Sequence, residues 1–249
     1  MTCQTIDEVL TRLNEIVDIC KKEQNPAGYF AVLYRKVTQE VKKGIEQNQF
    51  EDNVRMEKLD VHFANRYIDA FTIYRHGGIP TASWKTAFDA KSGMIMQHIL
   101  LGINAHINLD LGIASVTAAS PNPLHTLEND FLAINNVLGS LVEGVKTNIG
   151  SVSPLFKWLM PMAKKMDEML ILFSIKTART GAWQFANTLE QNAEDSGIIA
   201  SRDNSVAMIG RKLVQPGKVL SLLAISIAAA EWRSVANAIT IMEKNFDVK

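Results

Sequence analysis

Apolar residues recur at spacings of three and four along most of the chain, the period of helices that bury one face. Ile6, Val9, Leu10, Leu13, Ile16 and Val17 follow two candidate caps, Thr5 and Asp7, and predict a first helix that Asn25-Pro26 breaks. A second is predicted from near Pro26 to about Gln47 through Tyr29, Leu33, Val37 and Val41. The third sets Leu59, Phe63, Tyr67, Ala70 and Tyr74 on one stripe and stops at Gly77-Gly78, a glycine C-cap signal. Pro80 to Ala90, with Trp84 and Phe88 one turn apart, predicts a short helix.

Further on, Pro121 and Pro123 interrupt the pattern before a helix through Leu127, Phe131, Ile134, Val137, Leu138 and Leu141. A loop or short helix over Asn148 to Pro161 precedes a long helix from about Met162 to Asn192. Gly197 to Pro216 and an alanine-rich run from Lys218 to Asn245 predict two more. Alternation of period two never lasts beyond a few residues, and no fixed repeat occurs. The expected fold is all-α: a single domain over residues 1–249, an irregular bundle of about eight to ten helices.

Its centre is expected near residues 94–118. The run Gln97 to Ala114, QHILLGINAHINLDLGIA, embeds His98, Asn104, His106, Asn108 and Asp110 in an apolar helix-length stretch. A buried polar side chain without a partner costs about 1–3 kcal/mol, so these groups call for one another, a metal or a ligand. On a helix at 100° per residue, Asn104 and Asn108 lie about 160° from His106 and Asp110. Lys and Glu, which an outer face would carry, are absent between Lys91 and Glu128. The helix is therefore expected to be buried on all sides, with the asparagines tying neighbouring helices to it.

Charge and composition narrow the picture. Lys plus Arg equals Asp plus Glu at 26 each, giving no overall electrostatic reason to expect nucleic acid or an anionic membrane. Cys3 and Cys20 are the only cysteines, so no disulfide framework is available, and a reduced, cytoplasmic protein is expected. The N-terminus lacks the basic and apolar regions of a signal peptide. The most apolar stretches either carry His, Asn and Asp or fall short of the roughly 20 residues of a spanning helix, so no membrane span is expected.

His106 and Asp110 stand at i, i+4, where two side chains can share a metal ion or form a hydrogen-bonded acid/base pair. His98 lies about 12 Å upstream along the axis, and is expected to line one elongated cavity with His106, with Gly102 between them admitting a helix or a ligand. Candidates to complete a metal set are Asp60, His62, His98 and Asp130, a nitrogen and oxygen set suited to zinc, iron or manganese. Arg179 and Trp183, one turn apart, could hold an anion and cover a ligand. The plainer alternative makes Trp183 core and pairs Arg179 with Asp130 or Asp110. GxSxG, GxGxxG and GxxxxGK[ST] are all absent, so neither a nucleophile elbow nor a nucleotide loop is indicated. The ten methionines suit an adaptable apolar lining for a lipid- or polyketide-sized molecule.

Several of these segments also resemble an uncharacterised bacterial family of helical domains of unknown function. The likeness is carried by LDVHFANRYIDA (Leu59 to Ala70), PTASW (Pro80 to Trp84), HILLGINAHINLDL (His98 to Leu111), Asn129 to Phe131, and Ala178 to Trp183. It spans roughly Arg55 to Leu189, leaving the N- and C-terminal helices outside. The resemblance implies an α-helical fold and directs attention to Asp60, Asn65, His98, Asn104, His106, Asn108, Asp110, Asp130, Arg179 and Trp183. It implies no activity.

The expected function is a metal-dependent, hydrolase-like enzyme acting on a small apolar or amphipathic molecule. His98, His106 and Asp110 would be catalytic; His106, Asp110, Asp60 and Asp130 would ligate the metal; Asn104, Asn108, Arg179 and Trp183 would hold the ligand. The rival expectation is a non-catalytic carrier or sensor of a hydrophobic ligand. A third makes the polar cluster a purely structural network.

Overall fold

The computed structural model describes residues 2–134, 137–138, 150–153, 175–192, 197–231 and 234–247. Helices α1 (Ile6–Glu23), α2 (Ala27–Glu46), α3 (Asn53–Arg75) and α4 (Ala82–Asp89) come first. Thr5 caps α1 by accepting the Glu8 amide, and Asp52 caps α3 by accepting the Arg55 amide. Just past α3, Gly77 adopts φ 79°, a left-handed conformation that costs glycine little.

The long central helix follows in three pieces: α5 (Ile95–Ala105), a π-helical turn (His106–Asp110) and α6 (Leu111–Ala119). A 3₁₀ turn (Leu124–Leu127) leads to helical residues 128–134, and then come α7 (Ile175–Gln191), α8 (Gly197–Val214), α9 (Lys218–Ala230) and α10 (Val235–Asp247). No strand occurs among the described residues. The expected loop near residues 148–161, the first half of the helix over 162–192, and Met160, Met162, Met166 and Met169 lie mostly or wholly outside the described residues.

Five helices pack directly on the central one: α2 and α4 against α5, α3 and α7 against α6, and α8 against α5. Outside them, α1 lies on α2 and α3, and α10 lies on α1 and α2. By length and composition alone Ile95–Ala119 could cross a membrane, but 72% of its apolar window is buried inside the protein. The expectation of a helix covered on all sides holds: Asn104, His106 and Asp110 are all buried, and Asn108 is half-buried.

Two details depart from the sequence pattern. The run from Lys218 to Asn245 is not one helix; it parts between Ala230 and Val235. There Glu231 accepts the Ile95 amide at 2.8 Å and the Ser153 hydroxyl. That carboxylate meets the positive N-terminal end of the central helix, and Gln97 satisfies the neighbouring Met94 amide. The other departure is the π turn, where the Leu111 amide bonds to the His106 carbonyl five residues back.

Candidate functional site

Asp110, fully buried inside the π turn, gathers one side chain from its own turn and one from each of two other helices. Its Oδ1 accepts Nε of Arg66 (α3) at 2.7 Å; its Oδ2 accepts the indole N–H of Trp84 (α4) at 2.8 Å and lies 3.1 Å from Nδ1 of His106. A carboxylate facing Nδ1 assigns the proton to that nitrogen and leaves Nε2 as the acceptor. Burial lowers the His106 pKa, against the opposing pull of Asp110, so the ring is neutral. Phe63 stacks on the imidazole at 3.5 Å, and Tyr34 meets it edge-on at 4.4 Å.

Nε2 of His106 is buried and makes no hydrogen bond among the described residues. The same holds for Oη of Tyr34, Oγ1 of Thr38, Oδ2 of Asp60 and Oη of Tyr67. Tyr34 and Thr38 stand one turn apart on α2; Asp60 and Tyr67 are two turns apart on α3, with Phe63 between them. The hydroxyls of Tyr34 and Thr38 are close enough for Thr38 to ease ionisation of the phenol, although their geometry is not that of a hydrogen bond. Burial, followed by Asp60, pushes the Tyr34 phenol up. Burial, helped by Glu57, lifts the Asp60 carboxyl to about 7. Each such atom costs about 1–3 kcal/mol, and native proteins leave few of them. The rings of Tyr34 and Tyr67 touch the imidazole, and Thr38 and Asp60 act on Tyr34 in turn, so these atoms form one chain that leads to His106 and marks the site.

The other expected residues fall into place around this centre. Asn104 donates to the Val206 carbonyl, Asn108 donates to Asn104, and Arg202 donates to the Asn108 carbonyl. The Asn104 side chain and the Asn108 backbone therefore tie α8 to the central helix, while the Asn108 amide bonds only within that helix. His98 lies against Tyr29, and burial lowers its pKa to about 4. Between it and His106, where a helix or a ligand is expected to approach Gly102, the Phe30 ring of α2 lies so close that a Cβ there would overlap it. Arg179 donates to the Phe131 carbonyl and sits over that ring at 4.3 Å, with burial lowering its pKa to about 10. Trp183, half-buried, tilts onto the same ring at 4.7 Å.

The expected metal set does not assemble. Asp130 accepts the Glu51 and Asp52 amides and pairs with Arg55 at 2.7 Å, fixing the entry to α3. Asp130 thus spends its oxygens on two amides and an arginine, and Arg179, expected to pair with it or with Asp110, donates instead to the Phe131 carbonyl. Asp60 faces Tyr34 electrostatically, while Asp110 is occupied by Arg66, Trp84 and His106. Among the described residues no three His, Cys, Asp or Glu side chains are grouped to hold a metal ion.

Sequence reasoning missed Arg66, Trp84, Tyr34, Thr38 and the stacking of Phe63. The Tyr34–Thr38 pair did leave a signal, since two hydroxyls one turn apart stand among the apolar positions of α2. Arg66 and Trp84 lie in two of the segments that carry the resemblance, LDVHFANRYIDA and PTASW, but their residue types alone, an arginine on a helix and a tryptophan near a proline, point to no role.

No curated protein and no solved structure matches the chain. A family model does, over residues 6–216, from the start of α1 to just past α8. The match reaches well beyond the Arg55 to Leu189 resemblance and takes in Tyr34 and Thr38 along with the dyad and its arginine. The chain belongs to the family of unknown function described as DUF5995.

Proposed function

We propose that the protein is an enzyme in which His106 Nε2 acts as general base on a small apolar or amphipathic molecule, by hydrolysis or another water-activating step. The observation that carries this reading is the polarity of the dyad. Nδ1 is fixed by a carboxylate that Arg66 and Trp84 hold in place, and Nε2 is neutral, buried and without a hydrogen bond among the described residues. A base so oriented contributes typically about 10²–10⁴-fold to proton transfer. Phe63, half-buried against the imidazole, must turn aside to admit a substrate. Asp60, held protonated near neutrality, supplies a proton donor on the neighbouring helix. Free, buried Cys3 and Cys20 suit a reducing, cytoplasmic setting.

The carrier reading has a separate observation in its favour, a cleft between α5 and α9 lined by Met94, Gln97, Leu220, Leu223, Ala224 and Ile227. Its empty volume, about 240 Å³ including open solvent, falls below the roughly 300–1,000 Å³ of ligand pockets. The dyad is therefore preferred. Turnover of a panel of p-nitrophenyl acyl esters and anilides is expected in the wild type and lost at least 100-fold in His106→Gln. Equal turnover by the two proteins would overturn the assignment.

A further inference from the structure

Arg66 has a role left over after its bond to Asp110. Only its Nε is engaged; among the described residues the two terminal nitrogens have no hydrogen-bond partner. Its side chain is 30% exposed, while the carboxylate that pins it is 1% exposed. A guanidinium fixed at Nε from the protein side presents its outer edge as a fixed fork, the geometry that matches a planar carboxylate with two parallel hydrogen bonds. One turn before it on α3 stands Phe63, the first of three apolar side chains that the fold leaves partly open. Phe63 on α3, Ile107 on the π turn and Trp183 on α7 all pack over the same buried cluster of Leu111, Phe131 and Ala182. α3 and α7 both lie along α6, so this strip crosses the central helix from the arginine's helix to the tryptophan's. Phe63 touches both features, since it belongs to the strip and stacks on His106.

We infer that this surface binds a single-chain amphiphile with a carboxylate head, the head on the fork of Arg66 and the chain along Phe63, Ile107 and Trp183. The inference deepens the enzyme reading by naming the class of molecule brought to the dyad, and the binding itself does not depend on His106 acting as a base. The two terminal nitrogens left over by the pair with Asp110 disfavour a wholly neutral ligand that lacks an acceptor, because it would cover their N–H groups without satisfying them. Inorganic phosphate would reach the fork and leave the strip unused.

Titration calorimetry of the full chain with sodium decanoate, decanol and inorganic phosphate tests the assignment. Decanoate is expected to bind saturably, one per chain, and at least tenfold more tightly than decanol or phosphate. Arg66→Gln strands Asp110 and can unfold the protein, so the informative variant is Arg66→Lys, whose ammonium keeps the pair with Asp110 but offers no second edge. In Arg66→Lys, with an unchanged melting temperature, decanoate affinity should fall at least tenfold and decanol affinity should stay. Trp183→Ala should weaken both. Absence of decanoate binding, equal binding by Arg66→Lys, or phosphate binding as tightly as decanoate would each overturn it. His106→Gln should still bind decanoate, so failure of the general-base reading leaves this result standing and is recognised separately.

Discussion

The indole N–H of Trp84 and the imidazole Nδ1 of His106 converge on a single oxygen, Oδ2 of Asp110, at 2.8 and 3.1 Å. Through that oxygen a short peripheral helix, α4, sets the orientation of the proposed base. The three partners of Asp110 are unequal. Asp110→Ala strands the Arg66 charge and the His106 N–H, and should cost about 3–5 kcal/mol in urea unfolding. Trp84→Phe keeps an aromatic ring against Phe88 and loses one hydrogen bond to a carboxylate, at about 1.5–3 kcal/mol. Equal costs would show that Asp110 is not the hub.

Asp60 and His98 should pull stability in opposite directions with pH. Burial, with Glu57 adding to it, raises the folded Asp60 to about 7. Its contribution is full below the unfolded value of about 3.9 and is lost as pH rises through about 7. Burial, with Lys91 adding to it, lowers the folded His98 to about 4. That contribution is full above about 6.5 and is lost as pH falls through about 4. Asp60→Asn should therefore lose stability more steeply than wild type on acidification from pH 7 to 4 and gain on it above pH 7. His98→Gln should do the reverse. Each difference is on the order of 2–4 kcal/mol across the window, read from urea midpoints at several pH values.

Gly102 is expected to admit no larger residue. A Cβ there would overlap the Phe30 ring, and Phe30 is itself boxed by Tyr34, Tyr67 and Trp84, so it has no room to withdraw. Gly102→Ala should destabilise by about 1–3 kcal/mol, even though alanine is intrinsically the better helix former by about 1 kcal/mol. A thermal melt at or above the wild-type value would show that α2 and α5 can separate.

Asp130 should prove structural and nothing more. Asp130→Ala removes the acceptor of two backbone amides and the partner of Arg55, at a cost of about 3–5 kcal/mol. Turnover per folded molecule and decanoate affinity should be unchanged, since among the described residues its bonds run to Glu51, Asp52 and Arg55 and none to the dyad or Arg66. A loss of either in folded protein would return Asp130 to the site.

How far the sequence foretold this arrangement depends on the range of the interaction. Helices α1 to α4 followed from apolar spacing, caps and glycine stops, which act within a turn or two. Burial of the central helix followed from the absence of Lys and Glu, and the tethering role of Asn104 and Asn108 from their lying opposite the dyad. His106 and Asp110 were readable as a pair because one helical turn fixes their distance. Arg66, Trp84 and Phe63 were not, because each reaches the dyad from another element. The break at Glu231 carries no glycine or proline in the described residues around it; what stands there is a bond to Ile95, 136 residues away, which no local pattern reveals. A π turn leaves no residue signature at all, being a one-residue slip of the hydrogen-bond ladder.

That slip fixes the phase between the two halves of the central helix. Relative to an unbroken α-helix, everything beyond Asp110 is turned by about 100° for the one extra residue. Upstream, Gly102 fits Phe30 of α2; downstream, Gly112 fits Phe185 and the backbone of α7 at Ala182 and Ala186. Removing a single residue from His106–Asp110 would restore a regular α-helix and keep Gly112 aimed at α7, whereas winding the same residues as a regular α-helix would aim it away. The irregular turn is thus a spacer measured in angle, matching two neighbours that these residues, regularly wound, could not face at once.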